Sequence, residues 1–203
     1  MPRYYPQTKD ELISLVGDLS KNLGDIETCF VADMSGLFKD TKRTDFSGIE
    51  SWDTSRVENM AEMFWCVEGF NADISSWDTS RVKNMDDMFS LATDFNQNIN
   101  SWDVSNVESM DCMFFGALNF NQPLNSWNVS KVKDMSKMFM GANNFNQPLD
   151  KWDTQSVENM VQMFYCAKNF NQNLDSWNVN GIVKFDKEMF KGSPLQNKPP
   201  KWY

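Results

Sequence analysis

The sequence predicts an α/β repeat protein, a leucine-rich-repeat-like solenoid capped at both ends, with one short strand and one short helix or 3₁₀ turn per repeat. Six tryptophans recur at intervals of 25 residues, from Trp52 to Trp177. Met-Phe and Phe-Asn pairs recur with the same period. A segment that recurs at a fixed spacing is one unit of an array. A unit of this length cannot bury so many apolar side chains alone, whereas stacked units form a continuous core.

Three apolar columns define the repeat. The tryptophan column is Trp52, Trp77, Trp102, Trp127, Trp152 and Trp177. The Met-Phe column runs from Met63-Phe64 to Met163-Phe164, and Met189-Phe190 arrives one residue late. The third column is Phe70, Phe95, Phe120, Phe145 and Phe170. An earlier segment carries Ile26 where the others have tryptophan, and we interpret it as a degenerate first repeat.

Two periodicities alternate within each repeat. Trp127 and Val129 are two residues apart, which is typical of a short strand with one buried face. Val132, Met135, Met138 and Phe139 then follow at spacings of three, three and one, which are typical of a short helical or 3₁₀ turn facing the same core. Glycine, asparagine and proline close the repeat as a turn.

The two ends of the chain have the composition of caps. Thr8 and Glu11 form a capping-box pattern ahead of an amphipathic stretch, and the C-terminal stretch ends in Trp202 and Tyr203, which we expect to fold over the last repeat. The predicted division is an N-terminal capping helix segment (1–24), a repeat solenoid (25–190) and a C-terminal cap (191–203).

The repeated motif resembles that of the BspA-like leucine-rich-repeat surface proteins of bacteria. The pattern MF..A..FNQ.L..WDVS.V..M carries the resemblance and is clearest from Met88 to Met110 and from Met113 to Met135. The resemblance extends over about residues 25–190. The resemblance implies a right-handed solenoid that binds proteins, often as an adhesin on the cell surface, with no enzyme activity and no shared site residues.

Composition argues against an enzyme and against a nucleic-acid-binding protein. The chain has no histidine, the commonest general base and zinc ligand, and it has no phosphate-binding or nucleophile-elbow motif. Its net charge is −9, whereas a nucleic-acid-binding protein needs a basic face. We expect no catalytic residue and no cofactor. The acidic balance favours solubility and a basic partner surface.

Two polar columns have structural and functional interpretations. One follows each tryptophan: Asp53, Asp78, Asp103, Asn128, Asp153 and Asn178. These residues could hold calcium, but two of them are Asn, which favours Asx turns and no metal site. The second column contains Asn96, Asn121, Asn146 and Asn171, which we expect to form a hydrogen-bonded ladder.

Residues that vary between repeats are the candidates for recognition. The position after Met-Phe holds large side chains that we interpret as an aromatic stripe for binding. The alternative is that they pack between neighbouring short helices. The stripe residues are Trp65, Phe115, Met140 and Tyr165. The predicted strand face holds a second set of candidate binding residues, which are charged. The alternative is that they form a solvated surface without a partner. These residues are Arg56, Arg81, Lys131, Lys83 and Lys133.

Cysteine positions and the N-terminus bear on location. Cys66 and Cys166 lie four repeats apart, roughly 20 Å at the spacing of paired strands, too far for a disulfide. The chain as written has no apolar signal-peptide core and no membrane-spanning run. It is therefore expected in the cytoplasm if complete, whereas the resemblance implies the cell surface.

Two functions remain open at this stage. The first is a protein-binding solenoid of the adhesin or host-interaction type. The second is an intracellular scaffold or self-associating structural repeat protein. The identity of the partner and the oligomeric state do not follow from the sequence.

Overall fold

The computed structural model describes residues 3–182 and 188–203. These residues contain one α-helix, α1 (Lys9–Gly17), and 3₁₀ turns at Leu23–Asp25, Ile49–Ser51 and Pro194–Gln196. They contain no β-strand, because their bridge pairing is limited to isolated parallel bridges such as Asn59 with Asn84. The prediction of an α/β leucine-rich-repeat-like solenoid with a strand and a short helix in each repeat is therefore wrong. Residues 183–187 of the predicted repeat region lie outside the described residues.

Each repeat is built instead around a run of consecutive turns. In the repeat that contains Met60, the backbone N–H groups of Met63, Trp65 and Val67 each donate to the carbonyl three residues earlier, at 3.1–3.2 Å. Val57, Met60, Met63 and Phe64 are buried. The spacing of three, three and one therefore predicts the buried positions correctly, although it does not correspond to a helix.

The intervening N–H groups bind the next repeat. Those of Met60, Glu62, Phe64 and Cys66 point along the stack and donate across the repeat boundary at 2.7–3.0 Å. Their acceptors are the carbonyls of Asn84, Asp86, Met88 and Ser90. Because equivalent residues repeat the pattern, each repeat is fixed to its neighbour by the backbone and not by a ladder of extended strands.

Two left-handed residues in each repeat explain why the predicted short helix does not form. The predicted strand is replaced by turns, in which the Trp127 N–H donates to the Leu124 carbonyl at 3.1 Å. Glu62 and Cys66 have φ values of 57° and 59°, whereas helices and strands both need negative φ. The same two positions are left-handed in the following repeats: Asp87 and Leu91, Cys112 and Gly116, Lys137 and Gly141, Gln162 and Cys166. Most of these residues are not glycine, so the sequence carries little sign of the conformation.

The aromatic columns form the core. Phe64, Phe89 and Phe114 stack with ring centroids 5.7 Å apart, and the second phenylalanine column stacks beside them. Each column tryptophan donates its indole N–H to a carbonyl of the preceding repeat, as Trp102 does to Ile74 at 3.0 Å. The columns therefore contribute both buried area and polar links between repeats.

The N-terminal segment packs on the first repeat. Thr8 caps α1 by accepting the Glu11 N–H, while Glu11 accepts the Gln7 N–H. Leu12 and Val16 of α1 are buried. The buried Arg43 guanidinium donates to carbonyl oxygens at the end of α1 and just beyond it.

The C-terminal segment continues the core. Trp202 lies 25 residues after Trp177 and stacks on it at 6.2 Å. Its indole N–H donates to the Leu174 carbonyl, as the other column tryptophans do to their preceding repeats. Trp202 therefore belongs to the tryptophan column, and the prediction that it folds over the last repeat is confirmed. The boundaries after residues 24 and 190 stay predictions.

Trp102 tests the core. Its side chain is buried, as the repeat pattern predicts. We expect Trp102→Ala to lower the free energy of unfolding by about 3–5 kcal/mol, because it leaves a cavity in the stack. Trp102→Phe keeps a ring but leaves the Ile74 carbonyl without its indole donor, which costs about 1–3 kcal/mol. Urea denaturation measures both values, and a loss below about 1 kcal/mol for the alanine variant contradicts the role of the column.

Candidate functional site

The aromatic stripe lies at the edge of the turn run. Trp65, Phe115, Met140 and Tyr165 are all half-buried. They are neither core residues nor freely exposed ones, since each is partly covered by its surroundings and partly accessible to solvent. The structure thus brings the four predicted stripe residues onto one column, with the buried Ser90 between Trp65 and Phe115.

A lysine lies over the aromatic ring at each end of the stripe. The Lys39 ammonium is 4.3 Å from the centre of the Trp65 ring, and the Lys191 ammonium is 5.7 Å from that of Tyr165. Lys39 also pairs with Glu62, and Lys191 pairs with Glu188. Lys39 was not predicted from the sequence. It occupies the position equivalent to Trp65 in the preceding repeat, which is one residue longer than the others.

Carboxylates cluster in the same run of turns. The Asp86 carboxylate accepts the Ser109 hydroxyl at 2.5 Å and the Asp111 N–H at 2.9 Å. Burial raises the pKa of Asp86, and the Asp111 charge raises it further. Burial also raises the pKa of Asp87, with added repulsion from Asp111 and Glu62. Like charges that lie close together repel one another, so this acidic cluster (Asp86, Asp87 and Asp111) is a local concentration of negative charge beside the stripe.

The charged candidates on the predicted strand face are exposed: Arg56, Arg81, Lys131, Lys83 and Lys133. Lys83 pairs with Glu58 at 2.7 Å, and Lys133 lies 3.9 Å from Glu108. The Lys131 ammonium donates to the Asn106 amide oxygen. Arg56 and Arg81 are equivalent residues of neighbouring repeats, but Asn106 interrupts their column and glutamates alternate with lysines in the other, so the basic side chains do not form a continuous surface.

The two polar columns are structural. Asp53, Asp78 and Asp103 each accept the N–H of the serine two residues later at 2.9 Å, and Asn128 accepts the equivalent Ser130 N–H at 3.2 Å. This confirms the Asx turns. The predicted ladder is also confirmed, since the amide oxygens of Asn71, Asn96, Asn121 and Asn146 each accept the asparagine N–H of the next repeat.

One group of side chains has metal-ligating atoms close together. Among the described residues, Glu27, Cys29 and Asp53 each place one such atom within 4.8 Å of the other two. Asp53 is already engaged in its Asx turn, and burial beside Glu27 raises the pKa of the Cys29 thiol. A thiol must lose its proton to bind zinc. The group therefore offers few of the features of a metal centre.

No helix in the described part of the chain is both long enough and apolar enough to cross a bilayer.

The four cysteines allow a reactivity prediction. All are free thiols and half-buried. Burial, together with Asp111 and Asp87, strongly raises the pKa of Cys112, and burial together with Asp40 raises the pKa of Cys66. Thiolate is the reactive form, so we expect Cys112 to react slowest with a thiol reagent in the folded protein. All four should react after denaturation without reductant, and fewer than four would contradict the unpaired state.

The acidic cluster gives a pH prediction. A carboxyl whose pKa is higher in the folded state binds its proton more tightly there, so it costs stability as the pH rises from the unfolded pKa through the folded pKa. Asp86→Asn keeps an acceptor oxygen and removes the charge. We expect it to raise Tm at pH 7 by roughly 2–4 °C, the shift that about 1 kcal/mol produces in a chain of this size.

The same gain should vanish below about pH 3, where Asp86 is protonated in both states. Asp53→Asn is the matched control. The hydrogen bonds that Asp53 accepts from Ser55 lower the pKa of Asp53. Replacing this carboxylate should therefore not raise Tm at pH 7. A lower Tm for Asp86→Asn at pH 7 would contradict the repulsion in the cluster.

Comparison with known sequences places the chain in a family. It matches the family model described as "Mycoplasma protein of unknown function, DUF285" twice, over residues 32–134 and 97–202. Two overlapping placements of one model are typical of a repetitive sequence. Searches of the curated proteins and of the solved structures found no match. Because the two matches together span most of its length, the chain belongs to the DUF285 family.

Proposed function

We propose that the protein is a non-catalytic protein-binding repeat module of the adhesin or host-interaction type, and that it binds its partner through the aromatic stripe. The observation that carries the proposal is that, within each repeat, the structural positions keep the same residue types while the stripe position varies. The core and ladder positions are nearly the same from repeat to repeat, whereas the stripe position changes and holds Trp65, Phe115, Met140 and Tyr165. The stacking does not require large apolar groups there, since Ser90 occupies the same position.

The half-burial of the stripe supports this proposal. A ring that packs on the stack on one side is held in a fixed orientation, so little side-chain entropy is lost when a partner covers the other side. Large aromatic side chains of this kind supply most of the binding energy in many interfaces.

The acidic cluster favours a basic partner. Asp86 and Asp87 lie in the run of turns that carries stripe position 90, and burial and repulsion raise the pKa of both. A lysine or arginine of a partner placed beside them would offset that repulsion. We therefore infer a partner surface, or an extended segment, in which apolar side chains are accompanied by basic ones.

The motif resemblance gives the proposal its biological setting. The repeat pattern is similar to that of BspA-like surface proteins, which implies binding at a bacterial cell surface. That setting is proposed on the motif alone and does not depend on the leucine-rich-repeat architecture, which the structure lacks.

Synthetic peptides test the binding mode. We expect an immobilised peptide of alternating leucine and lysine to bind the protein and a leucine–glutamate peptide not to bind. The triple variant Trp65→Leu, Phe115→Leu and Tyr165→Leu keeps apolar packing on the stack but removes the rings. It should weaken binding tenfold or more, since losing aromatic anchors costs on the order of 2 kcal/mol. Surface plasmon resonance at two salt concentrations measures both effects.

The matched control removes charge from the other candidate surface. Arg56→Ala, Arg81→Ala and Lys131→Ala together should leave binding within about twofold, because these exposed side chains lie outside the stripe. If the leucine variant binds as well as the natural chain while this control loses binding, the partner uses the charged columns and the stripe hypothesis fails.

A further inference from the structure

Exposed apolar side chains are concentrated at the two ends of the stack. Among the described residues, the large hydrophobic side chains that are exposed are Tyr5, Ile13, Leu19, Phe30, Leu118 and Tyr203. Only Leu118 lies in an interior repeat. The N-terminal surface, defined as α1 and its flanking residues 3–27, thus exposes Tyr5, Ile13 and Leu19. Exposed apolar groups gathered on one surface indicate an interaction site.

The charges of the two ends are opposite. The N-terminal surface has three basic residues against five acidic ones, and Asp10 and Glu11 are exposed on α1. The C-terminal surface, residues 188–203, has three lysines against one glutamate, and Lys198 is exposed. Three ion pairs lie within the surfaces and are neutral: Arg3–Asp25, Lys21–Asp18 and Lys191–Glu188. Lys9 and Lys201 pair with Asp33 and Asp175 of the repeats. The charges outside these pairs are still opposite, since they are Asp10, Glu11 and Glu27 at the N-terminal surface and Lys198 at the C-terminal surface.

We propose that copies of this chain associate head to tail, with the C-terminal surface of one copy docked on the N-terminal surface of the next. Opposite charge brings the two surfaces together, and Ile13 and Leu19 supply apolar area for the contact. Two different surfaces meet in such an interface, so every assembly keeps one free N-terminal surface and one free C-terminal surface, and association continues beyond the dimer. The inference is independent of the partner proposed for the aromatic stripe.

Sedimentation velocity of the full chain, from about 1 µM to about 1 mM, tests the proposal. We expect the sedimentation coefficient to rise with concentration without a plateau at the dimer, and to rise less at high salt. Ile13→Ser with Leu19→Ser should shift the rise to roughly tenfold higher concentration. Leu118→Ser is the matched control, since Leu118 is 41% exposed and Ile13 is 40% exposed, and it should have no effect.

Charge reversal tests the pairing of unlike ends. Asp10→Lys and Lys198→Glu should each weaken association, because each removes the excess charge of one surface, and combining the two changes in one chain should not restore it. Lys168→Glu, an equal charge change in an interior repeat, should leave association unchanged. Circular dichroism confirms that each variant is folded.

Three results would overturn the proposal. The first is a chain that stays monomeric over the whole concentration range. The second is a plateau at the dimer, which indicates a two-fold contact between like surfaces. The third is loss of association in Leu118→Ser but not in the α1 variant, which places the contact on the side of the stack. None of them bears on binding through the stripe, because the leucine–lysine peptide measures that separately.

Discussion

The structure depends on the hydrogen bonds that the backbone of each repeat makes to the equivalent backbone of the next. They require the turn run to hold N–H and C=O groups along the stack axis, which the left-handed residues at positions such as Glu62 and Cys66 make possible. Once this register is set, every side chain falls directly over its equivalent. The aromatic columns, the indole bonds and the asparagine ladder all follow from that register. Each of them adds to the free energy needed to shift one repeat relative to the next.

The binding hypothesis rests on the same register. A position that the stack does not constrain appears once per repeat at a fixed spacing, so variation there changes a surface without disturbing the core. Ser90 and Phe115 occupy equivalent positions on the same backbone. At the acidic cluster the register has a cost, because stacking buries Asp86 and places it beside Asp111. Burial, and then the Asp111 charge, raise the pKa of Asp86.

Much of this organisation could be predicted from the sequence, and the part that failed has a physical cause. Spacing alone identified the buried columns, the Asx turns and the asparagine ladder, because these depend on which residues recur and not on local conformation. The strand and helix predictions failed because side-chain spacing reports burial, whereas secondary structure depends on φ. Residues such as Lys137 and Gln162 carry no sign of a left-handed backbone. Lys39 and the acidic cluster were missed because they involve contacts between repeats that differ in sequence.

The equivalence of donors and acceptors in the interior repeats also has a genetic consequence. An in-frame duplication of one repeat's coding sequence would insert a unit whose N–H groups meet the carbonyls of the old neighbour and whose carbonyls receive the N–H groups of the other. No existing bond between interior repeats would be lost. The length of the protein, and the number of stripe positions on it, can therefore change by recombination in whole steps. The N-terminal segment, which Arg43 and Lys9 join to single sites, does not have this freedom.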